Sequence, residues 1–274
     1  MFSEEQLERY SRQFVLKEIG ASGQKKLRRA RVLVIGAGAL GSPSLLYLAA
    51  AGVGTLGVAD FDRVELSNLH RQIVHRTETV GMEKTLSVRQ TINSLNPDVD
   101  VVCHTLRVTP ENILSLIEPY DFIVDGADSL FTKLLINDAC VLAKKPFVHA
   151  GVVRFGGQMM TYVPGQGPCL RCLLGDHPPL SQPQACSQVG VLGAATGVMG
   201  SMEALEAIKF LVGSGELLTG RILFFRGLTS RFDTLEFEAN EDCPLCGTHP
   251  AICNLTVRRQ DYEDPRSCRI VREA

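Results

Sequence analysis

The amino-acid sequence predicts an α/β protein built on a mostly parallel, doubly wound β-sheet. Short apolar segments alternate with helix-like segments over the first 150 residues, starting with a strand at 32–35. Strands and helices in alternation form a parallel sheet that is covered on both faces. A glycine-rich turn joins the first strand to an Ala/Leu-rich helix that runs to Ala51, an arrangement typical of nucleotide-binding units.

The other elements of this part follow the same alternation. Ser3 is predicted to cap a short N-terminal helix, because its hydroxyl can accept a backbone N–H. Further strands are predicted at 55–59, 99–104, 121–125 and 146–149, and further helices at 84–94, 111–117 and 130–142.

The pattern changes after residue 150. A strand at 158–163 falls outside the alternation, and residues 164–190 are rich in Pro, Gly, Ser and Gln, which predicts a long loop. A long helix is predicted at 193–212. Two strands are predicted within 221–238, and they indicate a C-terminal antiparallel β region. We therefore expect one domain, with an N-terminal helical segment, a Rossmann-like nucleotide-binding part and a C-terminal part, at 1–30, 31–150 and 151–274.

Composition and charge exclude several classes of protein. The 28 Lys and Arg residues nearly balance the 30 Asp and Glu residues, so the net charge of −2 argues against nucleic-acid binding by bulk electrostatics. No apolar run reaches the roughly 18–20 residues of a membrane span, and the N-terminus is too polar for a secretory signal. We expect a cytoplasmic protein whose nine cysteines stay reduced.

The glycine turn is the first candidate binding site. Gly36, Gly38 and Gly41 follow the GxGxxG pattern between a predicted strand and a predicted helix. Such a turn lets the backbone approach phosphates, which the helix N-terminus attracts. Asp60 ends the next predicted strand, where a carboxylate can accept hydrogen bonds from ribose hydroxyls. This pattern alone leaves NAD(P), ATP and FAD open.

The segment from residue 60 to residue 84 narrows the choice. Arg71 and Lys84 would have no task beside a nicotinamide, whereas nucleotidyl transfer needs cations near the phosphates. Taken singly, Arg71 could form a surface ion pair and Lys84 could be a solvated helix residue.

Taken together, the motifs resemble those of a known superfamily. DFDxVExSNLxRQ, at residues 60–72, resembles the adenylation motif of ubiquitin-activating-type enzymes. Tyr10-Ser11-Arg12-Gln13 resembles their N-terminal YxRQ motif. Asp125-Gly126-Ala127-Asp128, followed by Asn137-Asp138, resembles their metal-binding aspartate region. Within the superfamily, the sequence most resembles the MoeB/ThiF/HesA group, which adenylates sulfur-carrier proteins for molybdopterin and thiamine synthesis.

The resemblance implies ATP and Mg²⁺ as cofactors and assigns their ligands. It implies that Asp60 holds the ribose, that Asp128 binds Mg²⁺, and that Arg12 reaches into the ATP site of a partner subunit in a homodimer. The remaining implied ATP ligands are Gly36, Gly38, Ala39 and Gly41 at the phosphates, Asn68, Arg71, Gln72 and Lys84 at the triphosphate, and Asp62, Ser67, Leu69, His70 and Ser129 around them.

The resemblance also implies the reaction and the partners. A small ubiquitin-like sulfur carrier would insert its C-terminal Gly-Gly tail, and its carboxylate would attack the α-phosphate to give an acyl-adenylate. Arg12, Arg71, Lys84 and Asp128 would act by positioning and charge neutralisation. No rhodanese segment precedes Ala274, so we expect a separate sulfur donor, either a cysteine desulfurase or a rhodanese.

Three positions depart from the family pattern. Ala39 stands at the third glycine of GxGGxG, and Ser129 and Lys133 stand at the Asn and Arg of DNxxxR. Lysine keeps the charge of arginine but not its planar fork, so a role that needs the fork is in doubt.

Five cysteines are candidates for metal binding or chemistry. Two CxxC pairs suit a closed, structural zinc site, which the resemblance also implies, although one such pair alone could be redox-active. Cys186 precedes the 193–212 helix and is a candidate for covalent chemistry with the carrier. We expect Cys103 and Cys140 in the core and leave Cys253 and Cys268 unassigned. The predicted zinc ligands are Cys169, Cys172, Cys243 and Cys246.

Three alternatives stay open at this point. A superfamily member such as the tRNA threonylcarbamoyladenosine dehydratase would share the nucleotide motifs. An NAD-dependent oxidoreductase would share the glycine turn, and a zinc-containing dimerisation module would share the cysteines. His70, His75 and His149 lack metal-ligand spacing, so none of them is predicted to bind a metal.

Overall fold

A computed structural model of the chain describes residues 2–176 and 190–262. These residues contain nine α-helices and eight strands, together with short 3-10 turns at Leu66–Asn68, Thr77–Thr79 and Arg259–Tyr262. The helices are α1 (Glu4–Arg9), α2 (Ser11–Phe14), α3 (Gly20–Arg29), α4 (Gly41–Ala50), α5 (Lys84–Leu95), α6 (Ile113–Ile117), α7 (Leu130–Leu142), α8 (Leu170–Leu174) and α9 (Gly193–Val212). The strands are β1 (Arg31–Ile35), β2 (Thr55–Ala59), β3 (Asp100–His104), β4 (Phe122–Asp125), β5 (Phe147–Val153), β6 (Gly156–Tyr162), β7 (Arg221–Arg226) and β8 (Arg231–Glu236).

All eight strands join one sheet in the order β3-β2-β1-β4-β5-β6-β7-β8. The first five are parallel and the last three pair antiparallel, which confirms the predicted fold class. In the parallel part, Ile35 pairs with Ala59 and Asp125, and Asp125 pairs with His149. The residues that follow β1, β2 and β4 therefore emerge at one edge of the sheet.

Helices cover both faces of the parallel strands, so the central strands β1, β2 and β4 are mostly apolar and buried. Val32 and Val34 face a core cluster with residues of α4, α5 and α9, whereas Leu33 and Ile35 face a second cluster with α6 and α7. The second cluster continues into the C-terminal segment through Cys243 and Leu245. This segment is thereby packed onto the same sheet as the glycine turn.

Helix α9 crosses α4 at close range. A Cβ atom on Gly200 would lie 2.4 Å from the carbonyl oxygen of Leu40 and 2.5 Å from Cγ of Pro43. Only glycine permits this approach, which places the predicted 193–212 helix directly under the start of α4. Across the described residues, no helix is both long and apolar enough to cross a membrane.

The structure differs from the expected elements at two places. The predicted N-terminal helix is two short helices that meet at Tyr10, which is buried and accepts a hydrogen bond from Asn96 Nδ2 at 2.8 Å. This anchor turns the chain between them. Within the predicted 164–190 loop, residues 170–174 form α8, because Arg171 is tied to the core as described below.

Candidate functional site

The glycine turn between β1 and α4 is tightly packed on one side and open on the other. Gly36 has φ of +98°, and a Cβ there would lie 2.6 Å from Gly126 O. A Cβ on Gly41 would lie 1.9 Å from Gly36 O, so both glycines are required by packing. At Gly38 the nearest atom to a Cβ would be Gln72 Nε2, at 3.8 Å. Gly38 therefore marks the side from which a ligand can approach.

Backbone donors face this open side. Within the described part of the chain, the N–H groups of Gly38 and Ala39 have no hydrogen-bond acceptor. They lie just before α4, where the positive end of the helix dipole favours anions. The turn therefore offers what a phosphate group needs.

Asp60 lies beside the turn, at the end of β2. Its Oδ2 accepts the Ala37 N–H at 2.8 Å and its Oδ1 accepts the Asp62 N–H at 2.8 Å. Burial raises the pKa of Asp60, although nearby Lys84 and these hydrogen bonds oppose the rise. Each oxygen keeps a free lone pair, so the carboxylate can accept hydrogen bonds from two hydroxyls.

Lys84 begins α5 and points toward the same region. Its ammonium group is 2.9 Å from Asp62 Oδ2, and only 5% of the residue is exposed. A buried ammonium needs a negative partner, and Asp62, which is half exposed, supplies it here. A triphosphate could replace Asp62 as that partner.

The segment 65–72 reaches the open side of the turn through Gln72, whose Nε2 would lie 3.8 Å from a Cβ on Gly38. Asn68 Oδ1 accepts the Glu65 N–H at 3.2 Å, and Arg71 Nη1 donates to Ser67 O at 2.9 Å. Gln72 is buried, and its Oε1 has no partner among the described residues. An unpaired buried amide oxygen is costly. Its presence beside the turn fits a polar ligand.

The aspartate turn after β4 rests on a buried ion pair. Asp125 Oδ2 accepts hydrogen bonds from Lys133 Nζ at 3.2 Å and His149 Nδ1 at 2.8 Å, and Oδ1 accepts the Ala127 N–H at 3.1 Å. Burial would raise the pKa of Asp125, but Lys133 and His149 outweigh it and hold this pKa below its usual value. The turn holds exposed Asp128 close to the glycine turn, because Gly126 packs against Gly36.

Two residues of the aspartate region serve the core. Lys133 is buried and also donates to Ala150 O at 2.6 Å, so its charge is used beneath the site. Asp138 pairs with Arg171 Nη2 at 2.7 Å and accepts the Tyr262 hydroxyl at 2.8 Å. The charge of Asp138 is therefore used in the core, and Asp128 stays the predicted Mg²⁺ ligand.

The four predicted zinc ligands meet in one cluster. The sulfur atoms lie within 4.8 Å of one another, with Cys169 to Cys243 at 3.7 Å and Cys172 to Cys246 at 3.4 Å. Zinc in a tetrahedron of thiolates at about 2.3 Å places sulfur atoms about 3.8 Å apart. The cluster therefore fits a closed zinc site, as predicted from the two CxxC pairs.

Arg171, inside the first CxxC, was not predicted as a structural residue. It is 1% exposed, and besides Asp138 it binds Asp176 O through Nη1 at 2.5 Å. Asp176 in turn pairs with Arg258 at 2.7 Å. The only signal in the sequence is an arginine within an otherwise apolar CxxC, because its charged partner Asp138 lies 33 residues away along the chain.

The remaining candidates are Arg12 and the cysteines outside the four-cysteine cluster. Arg12 is exposed on α2, and no contact joins it to the glycine turn within the described residues, so its role across a dimer stays a prediction. Cys186 and Cys268 lie outside the described residues. Cys140 is buried as expected, Cys103 is half-buried and Cys253 is exposed.

Comparison with known proteins gives consistent matches. The ThiF family model matches residues 10–245. The chain is 43% identical over 267 residues to the sulfur carrier protein adenylyltransferase of Thermus thermophilus, covering 96% of this chain and 97% of that protein. It is 46% identical over 259 residues to the adenylyltransferase and sulfurtransferase MOCS3 of Aedes aegypti, covering 94% of this chain and 58% of that protein. The chain thus spans little more than half the length of its insect relatives.

A solved structure gives the same fold. The crystal structure of E. coli MccB matches with a TM-score of 0.79 over 91% of this chain and 75% of that chain. The sequence identity is 24%, so this likeness supports the fold alone.

Proposed function

The chain belongs to the ThiF family, and on this premise we propose that it is an ATP-dependent adenylyltransferase of a small ubiquitin-like sulfur carrier. The carrier would be of the MoaD or ThiS type and end in Gly-Gly, in molybdopterin or thiamine synthesis. One observation carries the proposal: the glycine turn, Asp60, Lys84 and Asp128 come from separate elements and meet at one edge of the sheet. A relative that spans the same length is named for this activity.

The binding step uses groups already in position. The triphosphate would lie over Gly38 and the free N–H groups at the start of α4, and Asp60 would hold the ribose hydroxyls. Lys84 would exchange Asp62 for a phosphate oxygen, and Arg71 would turn from Ser67 O to the same phosphates. Gln72 would donate or accept at the open side of the turn.

The chemical step is a displacement at the α-phosphorus. The carrier carboxylate forms a bond to phosphorus, and the bond from phosphorus to the bridging oxygen of pyrophosphate breaks. Mg²⁺ held at Asp128 would neutralise part of the developing charge. Lys84 and Arg71 would neutralise the rest, so catalysis is mainly positioning and electrostatic stabilisation.

The finer assignments belong to the same proposal. We propose a cytoplasmic homodimer in which Arg12 completes the site of the partner subunit. One adenylation domain would comprise all three segments, with 151–274 binding the carrier. Sulfur would come from a cysteine desulfurase or a rhodanese, with Cys186 as the candidate thiol on this chain.

Zinc would have a structural task here. Four thiolates leave no open coordination position, so the metal would bind no substrate. Cys169 directly precedes α8 and Cys172 lies within it, whereas Cys243 and Cys246 follow β8. The metal would therefore tie the C-terminal segment to the sheet.

Carrier-dependent ATP–pyrophosphate exchange tests the activity. Wild-type protein is expected to exchange label only when a Gly-Gly carrier is present, and K84A and D128A are expected to lose about 100-fold or more. K25A, at an exposed position of α3, is the matched control and should exchange normally. The proposal would be overturned if none of the Gly-Gly carriers tested supported exchange. Full exchange in both K84A and D128A would overturn it as well.

A further inference from the structure

We infer that His75 is a positioning residue for triphosphate binding. It holds the Ala37–Gly38 peptide of the glycine turn in one orientation. The inference rests on the proposed function, since it concerns how the same site receives ATP. His75 lies outside every motif that the sequence points to, and it touches no position where a ligand would lie.

The imidazole bridges the turn and helix α5. Its Nε2 lies 3.0 Å from Ala37 O and its Nδ1 lies 2.9 Å from the Ser87 hydroxyl, with only 5% of the residue exposed. A carbonyl oxygen only accepts, so Nε2 carries the hydrogen and donates it to Ala37 O, while Nδ1 faces the Ser87 hydroxyl. Burial lowers the pKa of His75 to about 4, so the ring is neutral near pH 7.

Peptide geometry transmits this hydrogen bond to the ligand side. In a planar trans peptide, the C=O and the following N–H point in opposite directions. When His75 holds the Ala37 carbonyl, the Gly38 N–H must therefore point away from His75, toward the open side of the turn. Asp60 holds the Ala37 N–H at 2.8 Å, so both peptides that flank the Ala37 Cα are fixed from outside the turn.

The turn needs such a restraint because of Gly38. Glycine adopts almost any backbone conformation, and the space beside Gly38 is open. Without the His75 bond the peptide could rotate and direct a carbonyl oxygen at the phosphates. The expected consequence is weaker ATP binding in a protein that still folds.

Two isosteric substitutions separate this role from simple core filling. Glutamine can place its amide nitrogen near the site of Nε2, whereas asparagine places it near Nδ1. H75Q should therefore bind Mg·ATP within about threefold of wild type. H75N should bind about tenfold more weakly, which corresponds to about 1.4 kcal/mol and lies within the range for one lost hydrogen bond. Calorimetric titration with Mg·ATP measures both, and thermal unfolding shows whether each variant is folded.

His104 provides the matched control, since its ring is bonded to the Tyr120 hydroxyl at 2.7 Å and not to the turn. H104Q and H104N should both bind Mg·ATP as wild type does. Equal ATP affinity of H75N and H75Q would overturn the inference. If H75N does not fold, H75M, which fills the same space without a donor, replaces it, and an ATP affinity of H75M equal to that of H75Q would overturn the inference as well.

The two proposals fail in distinguishable ways, because ATP binding is measured without a carrier. If wild type binds ATP but shows no exchange, the proposed function is overturned. The ATP affinities of the His75 variants then still test the role of His75. Wild type that exchanges while H75N binds as tightly as H75Q overturns only the role of His75. Wild type that binds no ATP overturns both.

Discussion

At the scale of single residues, the glycines of the turn have different tasks. Gly41 is needed because a Cβ would collide with Gly36 O at 1.9 Å, whereas Gly38 has room for one. We expect G41A to lose about 1–3 kcal/mol or more of unfolding free energy through overpacking. G38A should unfold like wild type but bind Mg·ATP more weakly, since its methyl group occupies the ligand side. Denaturant unfolding and calorimetry measure the two effects, and a stable G41A would contradict this account.

Protonation of His75 should make stability depend on pH. Because its pKa is about 4 in the folded protein and about 6.5 when unfolded, the unfolded state binds more protons between these values. The contribution of His75 is therefore complete above pH 6.5 and is lost as the pH falls toward 4. Between pH 7.5 and pH 5 this corresponds to about 2 kcal/mol.

The comparison of wild type with H75Q isolates this group, because other histidines titrate equally in both proteins. The unfolding free energy of wild type should fall more than that of H75Q over this pH range. Parallel pH profiles for the two proteins would argue against a neutral, buried His75.

At the scale of elements, the crossing of α9 over α4 depends on one glycine. Gly200 meets Leu40 O and Pro43, whereas Gly197, one turn earlier on α9, has no atom within 4 Å of a Cβ. G200A should lose about 2 kcal/mol of stability or more and weaken ATP binding, because Leu40 belongs to the turn. G197A should gain up to about 1 kcal/mol from helix propensity. Denaturant unfolding of this matched pair decides the point, and similar effects of both substitutions would contradict it.

Helix α7 connects the aspartate turn at its start to the first CxxC through Asp138. Breaking a buried ion pair leaves one charge unpaired, so R171A should cost about 3–5 kcal/mol. Arg226 and Asp233 also pair at 2.7 Å but are more than half exposed, and R226A should cost less than about 1 kcal/mol. Urea unfolding measures both, and equal small losses would show that the network around Arg171 contributes little.

At the scale of the whole molecule, the four-cysteine cluster joins the segment around α8 to the segment that follows β8. We expect about one zinc per chain, which C243S should lose and C253S, at an exposed cysteine outside the cluster, should keep. Elemental analysis after dialysis measures the content. Because Arg171, Asp138 and Tyr262 hold the same region without metal, the zinc-free protein should remain folded with a lower Tm. Retention of zinc in C243S would exclude the cluster as its site.

Sequence alone could predict the sheet and the four-cysteine cluster, because those signals are local. Apolar strands, a glycine turn with a helix after it, and paired cysteines each follow from neighbours along the chain. The order of the parallel strands and the closeness of Asp60 to the turn then follow from the fold class.

The residues that sequence reasoning missed depend on partners that only the folded chain brings into contact. His75, Lys133 and Arg171 were assigned no task at the site, because their roles arise from Ala37, Asp125 and Asp138. Nothing in the adjacent sequence distinguishes a histidine that holds a carbonyl from one that fills space. A buried polar group needs its partner because leaving it unpaired is costly, and burial exists only in the folded chain.

Local sequence patterns were sufficient to predict the fold class, the family resemblance and the residue types that a nucleotide site and a zinc site need. The folded arrangement was needed to show which charges are available to a ligand and which are used in the core. Lys84 and Lys133 show the difference, since one faces a half-exposed aspartate and the other a fully buried one. The free energy of a charge depends on its exposure to solvent and on its partners, and both are set by the folded chain rather than by the adjacent residues.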